Sequence, residues 1–278
     1  MSLTRFLKYF FRKTIHRFII QNIGNLIGKI ICFLPEKLKK SIIFYRTDII
    51  KDPHALQIYN NGFTVIKIKD QETLNTLKKV RYDIQEKIKA GSIKFSSEED
   101  FEKSFIKILT KHTDRKNLFL IANNIYILKV VREYFGFYPT IRSIDIWANF
   151  PTNNEQNATQ FFHRDPDDVF LVKLFLPLTK IIKENGPFQY VKYSHRNIYK
   201  EEFSKWFIKR YGSKRKKIEN YLMSKFQKNI FSFTGDLGEG CLADTNGLHR
   251  GLKPINGIRL MIAISYCSPY PNFDKHYL

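Results

Sequence analysis

His163 and Asp165 stand two residues apart in Phe161-Phe162-His163-Arg164-Asp165, and His249 follows far downstream in Gly247-Leu248-His249-Arg250-Gly251. Side chains two apart on a strand point to one face, so His163 and Asp165 can look into one interior while Arg164 looks out. If the three serve together, His249 must arrive on another strand of the same barrel. That demands a β fold in which distant segments lie side by side. Two imidazoles and a carboxylate can hold one face of an iron(II) ion and leave the opposite positions open. Taken alone, a His-x-Asp pair is more often an exposed polar feature without special function.

Arg259 raises the standing of the trio. It lies ten positions beyond His249, and Lys253-Pro254-Ile255-Asn256-Gly257 between them is a turn signal expected to fold the second segment back on the first. Ile258 to Cys267 then reads as a strand, with Arg259, Met261, Ala263, Ser265 and Cys267 on one face. An inward arginine needs a carboxylate opposite it. Two sources remain open: a bound dicarboxylate, or a structural Asp or Glu.

Four blocks in order resemble the phytanoyl-CoA dioxygenase family of iron(II)/2-oxoglutarate oxygenases. They are Gln160 to Asp165, then Glu184-Asn185-Gly186-Pro187-Phe188-Gln189-Tyr190-Val191 with Ser194-His195, then Gly235-Asp236 leading to Asp244 and His249, and finally Arg259. A weaker likeness begins at Tyr59 to Ile66, so the resemblance spans roughly residues 55–270. It implies a mostly β core with flanking helices, a double-stranded β-helix of the jelly-roll, cupin-like kind, with the metal between its two sheets. It makes His163, Asp165 and His249 the iron ligands and catalytic centre, and Arg259 the clamp on the far carboxylate of 2-oxoglutarate. Iron(II), 2-oxoglutarate and O2 are the implied cofactor and cosubstrates, with succinate and CO2 released. The small hydroxylated residue usual two positions beyond the arginine is absent, because Met261 stands there. Lys173, Thr245 and Ser265 are the candidates for a second carboxylate contact, Lys173 first, since it interrupts the apolar run Val169 to Leu176. Halogenating relatives carry a small residue at the carboxylate position. The presence of Asp165 therefore favours hydroxylation, or another oxidation by the same chemistry, over halogenation. Asp167, Asp168 and Asp244 are candidates for orienting the histidine rings, although turn formation is the commoner role of such residues. His195 reads as structural or lid-related rather than as a fourth ligand.

The chain has 278 residues, enough for one sizeable domain with an appended segment, and a net charge of +21. Cys32, Cys241 and Cys267 are too scattered for a disulfide framework or a zinc site. No apolar run reaches membrane-spanning length, and no cleavable leader is evident. The basic excess is local. Residues 1–46 carry ten Lys or Arg against Glu36, and residues 196–228 carry eleven against Glu201, Glu202 and Glu219. The first patch is expected to form an amphipathic helical segment over residues 1–50, with Leu3, Phe6, Leu7, Phe10, Phe11, Ile15 and Phe18 on one face. Docking on the chain's own domain is the commoner fate of such a stripe. An anionic membrane surface, met through residues 1–34, is the second. The other patch reads as a basic helical insertion at about 196–230 within an oxygenase domain of residues 51–278. It suits an anionic or carrier-linked substrate, although a solvated surface explains it as simply. No nucleic-acid motif occurs, and no nucleic acid is expected as a partner.

Helices are expected at Gln71–Ala90 and Asn117–Phe135, and strands near Gly62–Ile68 and Ile141–Phe150. The expected protein is a cytoplasmic dioxygenase of a small or lipid-like molecule, with peripheral attachment to the inner face of a membrane as a variant. The alternative is a non-catalytic barrel acting as a membrane-surface scaffold.

Overall fold

The computed structural model of the chain describes residues 50–93, 105–108, 113–135, 138–153, 156, 158–165, 170–196 and 215–267. The expected N-terminal helix, Asp167, Asp168 and residues 197–214 of the basic insertion lie outside them. Among the described residues the order is α1 (Pro53–Asn61), β1 (Phe63–Lys67), α2 (Gln71–Lys89), β2 (Phe105–Ile108), α3 (Arg115–Ala122), α4 (Ile125–Phe135) and β3 (Thr140–Asn149). It continues with β4 (Leu171–Pro177), β5 (Phe188–Val191), α5 (Arg215–Phe226), β6 (Ile230–Phe233), β7 (Glu239–Asp244), β8 (His249–Gly251) and β9 (Arg259–Cys267).

Two antiparallel sheets result. The larger has the order β1-β7-β4-β9-β3-β2 and the smaller β6-β5-β8. A β-bridge between His163 and His249 adds a further short segment beside β8. Alternation explains how the larger sheet buries both faces. Leu260, Ile262, Ile264 and Tyr266 of β9 join Val172, Leu174 and Leu176 of β4 in a core with Ile58, Leu77, Ile121 and Val130 of the helices. The opposite face supplies Phe63, Cys241, Ala243 and Phe175, which meet Phe188, Tyr190 and Phe233 of the smaller sheet. Helices α1 to α4 therefore cover the outside of the larger sheet, and the gap between the sheets is left for the site.

The strands and α2 fall where the pattern predicts. The single helix expected over 117–135 is two, because the Asn124 side chain caps a new start. Its Oδ1 accepts from the Tyr126 and Ile127 amides at 3.1 and 3.2 Å. The turn at 253–257 also differs from expectation. β8 and β9 are not paired with each other, so this connection crosses from the smaller sheet to the larger.

Tyr190 pins the two sheets together. Its hydroxyl donates to the Asp244 carbonyl at 2.8 Å. A Cβ at Gly247 would lie 1.7 Å from that hydroxyl oxygen, and one at Gly62 would lie 2.3 Å from it. Tyr190 is fully buried and has nowhere to retreat. Gly247→Ala is therefore expected to cost about 1–3 kcal/mol of stability, as overpacking of a filled core does, read as a lower denaturant midpoint.

Candidate metal centre

The bridge between His163 and His249 is what assembles the site. His163 N donates to His249 O at 2.9 Å, and His249 N returns the bond to His163 O at 3.0 Å. Residues exchanging both bonds sit directly opposite, so the two imidazoles emerge side by side, with ring centroids 4.3 Å apart. Asp165 N donates to Thr245 O at 2.9 Å, which fixes the third side chain. Among the described residues, His163, Asp165 and His249 form the group able to hold a metal, one donor atom of each lying within 4.8 Å of the others. Asp165 Oδ1 is 3.9 Å from His163 Nε2, and Oδ2 is 3.5 Å from His249 Nε2.

Both rings are oriented alike. His163 Nδ1 donates to the Phe161 carbonyl at 2.9 Å and His249 Nδ1 to the Gly247 carbonyl at 3.0 Å. A proton on Nδ1 leaves the Nε2 lone pair free for a metal. The orienting groups are thus backbone carbonyls. Asp244 instead accepts from Tyr134 Oη and from the Asn246 amide, the turn-forming role.

Arg164 points away from the triad as alternation predicts, but not into solvent. It is buried, with Nη1 on the Asn246 carbonyl and Nη2 on the Ser194 carbonyl. His195 is likewise buried, its Nε2 donating to Tyr59 O at 3.0 Å. Burial pushes its imidazole down to about 4, so it is neutral at physiological pH.

Lys173 meets an anion, and that anion is Asp165, 2.7 Å from its Nζ. Burial opposes ionisation of Asp165, but Lys173, then His249 and His163, hold its carboxyl well below the usual range. Asp165 is thus held as a carboxylate by its neighbours. Thr245 is fully buried beside Asp165, and its hydroxyl has no hydrogen-bond partner among the described residues. Ser265 is paired in register with Lys173 on one side and Ser143 on the other.

Arg259 enters from the opposite sheet. Its guanidinium is buried, donating from Nε and Nη2 to Asn149 Oδ1 at 3.2 and 2.9 Å, while Nη1 has no partner among the described residues. Burial pushes it down to about 10, which still leaves it cationic at neutral pH. Among the described residues no Asp or Glu pairs with it. A Cβ at Gly251, two residues beyond His249, would stand 2.9 Å from Arg259 Nη2. Glycine here makes room for the guanidinium against β8. Asn149 was invisible to motif reasoning. Its signal is positional, since it is the inward residue of β3 in register with Arg259.

These features fit iron(II) and a dicarboxylate. Two Nε2 lone pairs and a carboxylate converge, and a buried guanidinium with one unpaired nitrogen faces the same interior from the other sheet. Phe188 lies between, its ring 5.8 Å from that of His249 and stacked on Phe175 at 4.4 Å.

No family model matches the chain, and no curated protein matches it in sequence. Solved structures do share its fold. The non-heme alpha ketoglutarate dependent epimerase SnoN from nogalamycin biosynthesis superposes with a TM-score of 0.53 at 10% identity, covering 81% of this chain and 91% of SnoN. HygX from Streptomyces hygroscopicus, with nickel and 2-oxoglutarate bound, gives 0.52 at 14% identity over 79% of this chain and 88% of its own. EctD from S. alaskensis, with bound Fe, gives 0.52 at 13% identity over 84% and 82%. At such identities the likeness is one of fold. The chain has the β architecture on which these non-heme enzymes are built, and its own residues supply a donor set that fits iron(II).

Proposed function

We propose that this protein is an iron(II)/2-oxoglutarate-dependent dioxygenase that hydroxylates an unactivated C–H bond of a small polar substrate, releasing succinate and CO2. The observation that carries the reading is Arg259, a buried cation without an anionic partner among the described residues, facing a three-residue metal site from the opposite sheet. His163, Asp165 and His249 would hold the metal. Arg259, positioned by Asn149, would take the far carboxylate of the cosubstrate, while Lys173 and Thr245, expected beside it, lie with Asp165 at the metal end. When bound, iron(II) and 2-oxoglutarate supply the oxidising chemistry, and the protein supplies position and exclusion of water. Phe175, Phe188, Ala263 and Met261 line that gap with apolar surface.

An Asp at the carboxylate position favours hydroxylation over halogenation, and the resemblance of the four sequence blocks to the phytanoyl-CoA dioxygenase family supports the same reading. The substrate side is read from β3. Ser143 Oγ lies 3.1 Å from Asp145 Oδ2 and 3.2 Å from Ser265 Oγ, so the wall beside Lys173 is polar where an acyl chain would want it apolar. That supports a hydrogen-bonding substrate over a lipid one. The scaffold alternative leaves Arg259 and the triad without purpose. No helix of the described residues is long and apolar enough to cross a membrane.

The test is release of CO2 from 2-oxoglutarate labelled at C1 by the purified chain with Fe(II) and ascorbate. Slow turnover without substrate is expected, and polyols, amino acids and acyl thioesters are then screened for acceleration. A protein that neither binds Fe(II) nor consumes 2-oxoglutarate with any of them is not this enzyme.

A further inference from the structure

We propose that Glu219, on α5 of the basic insertion, is a positioning residue of the metal centre that acts on both histidines at once; this rests on the reading of His163, Asp165 and His249 as metal ligands. The Phe162 amide donates to Glu219 Oε2 at 3.2 Å. The carbonyl of that same peptide unit, Phe161 O, accepts from His163 Nδ1 at 2.9 Å. One peptide thus links a carboxylate at its N–H end to an imidazole at its C=O end. A negative charge on the N–H polarises the peptide and makes its carbonyl a stronger acceptor. That fixes the Nδ1–H tautomer of His163 and raises the basicity of the Nε2 facing the metal.

The other arm reaches His249. Glu219 Oε1 is ion-paired with Nη1 of Arg250, the residue immediately after His249, and both side chains are more than nine-tenths buried. Arg250 is held in turn by Gln189 Oε1, 2.8 Å from its Nε, and lies over the Phe162 ring at 4.3 Å. A single carboxylate therefore grips the residue before one histidine and the residue after the other. Anchoring α5 does not require it. Phe162, Val191, Leu222 and Leu248 already form an apolar seat, with Met223, Phe226 and Ile230 at its edge. Buried ion pairs are weak sources of net stability against apolar replacement. Placement beside both ligand segments gives this one a purpose that packing alone does not.

The experiment is titration of the metal-free full chain with Co(II), followed by its visible absorption, alongside thermal unfolding of the same samples. Glu219→Ala is expected to weaken Co(II) binding by about 10–100-fold, the usual cost of removing an outer partner of a metal-bound histidine, and to alter the Co(II) spectrum. Glu219→Gln, which keeps shape and can still accept from Phe162 but loses the charge, is expected to fall between Ala and wild type. Phe226→Leu trims the packing of the same helix and is expected to lower the melting temperature while leaving Co(II) affinity alone. A Glu219→Ala protein that melts earlier yet binds Co(II) with unchanged affinity and spectrum overturns the proposal. Should that variant fail to fold, an unchanged Co(II) affinity in Glu219→Gln overturns it equally. Failure of the wild type to bind Co(II) would instead strike down the ligand reading itself.

Discussion

His163→Ala is expected to lose metal binding by more than the ~10–100-fold that loss of a merely outer partner costs, and all turnover with it, while the chain stays folded. The histidine is a better target than Asp165. Loss of the hydrogen bond that its Nδ1 donates to Phe161 O is worth about 1 kcal/mol. Asp165 by contrast neutralises Lys173 at 2.7 Å, and its removal would strand a largely buried ammonium. A folding defect and a metal defect would then be confounded. Retained 2-oxoglutarate turnover by a folded, metal-supplied His163→Ala protein would refute the ligand assignment.

Arg259→Met is expected to separate stability from cosubstrate binding in opposite directions. Among the described residues the buried guanidinium has only a neutral amide for company, Asn149. Replacing such a charge by an apolar side chain of similar length is expected to leave the melting temperature unchanged or raised. Removing one partner of a buried charge pair in the complex costs about 2–5 kcal/mol, so affinity for 2-oxoglutarate should fall by roughly 30- to 4000-fold. Metal affinity should be intact, since the guanidinium belongs to the other sheet. If Arg259 were merely structural, the protein would destabilise and the Michaelis constant for 2-oxoglutarate would hold.

The shared direction of His163 and Asp165 was legible in the sequence because a two-residue period is a local fact; their meeting with His249, which the His163–His249 bridge brings about, was implied only by the family resemblance. The strand from Arg259 was equally plain, its alternate residues falling to the two faces as written. What failed was the partner of that strand. Turn chemistry at Pro254 and Gly257 announces a reversal but not which sheet receives the chain, and here it changes sheets. The orienting partners of the two histidines were hidden for a related reason. Carbonyl oxygens have no letter in the sequence, whereas Asp244 does, and it is spent on Tyr134 and Asn246. Asn149 and Glu219 show the same limit in side chains. One is an ordinary strand end, and the other an acid in the run Arg215 to Lys217 and beyond, where solvent exposure is the natural expectation. Only tertiary packing buries them.

The crossing from β8 to β9 has a mechanical consequence. His163 and His249 ride on the smaller sheet, and Arg259 on the larger. A dicarboxylate fastened to metal at one end and to Arg259 at the other would act as a bolt through two plates. Its contribution to holding them together grows as RT ln(1 + [L]/Kd) with free ligand, and exists only while the metal is present to hold the near end. Cosubstrate should then stiffen the protein in the metal-loaded form alone, and monocarboxylates too short to span the gap should leave the plates as loose as before.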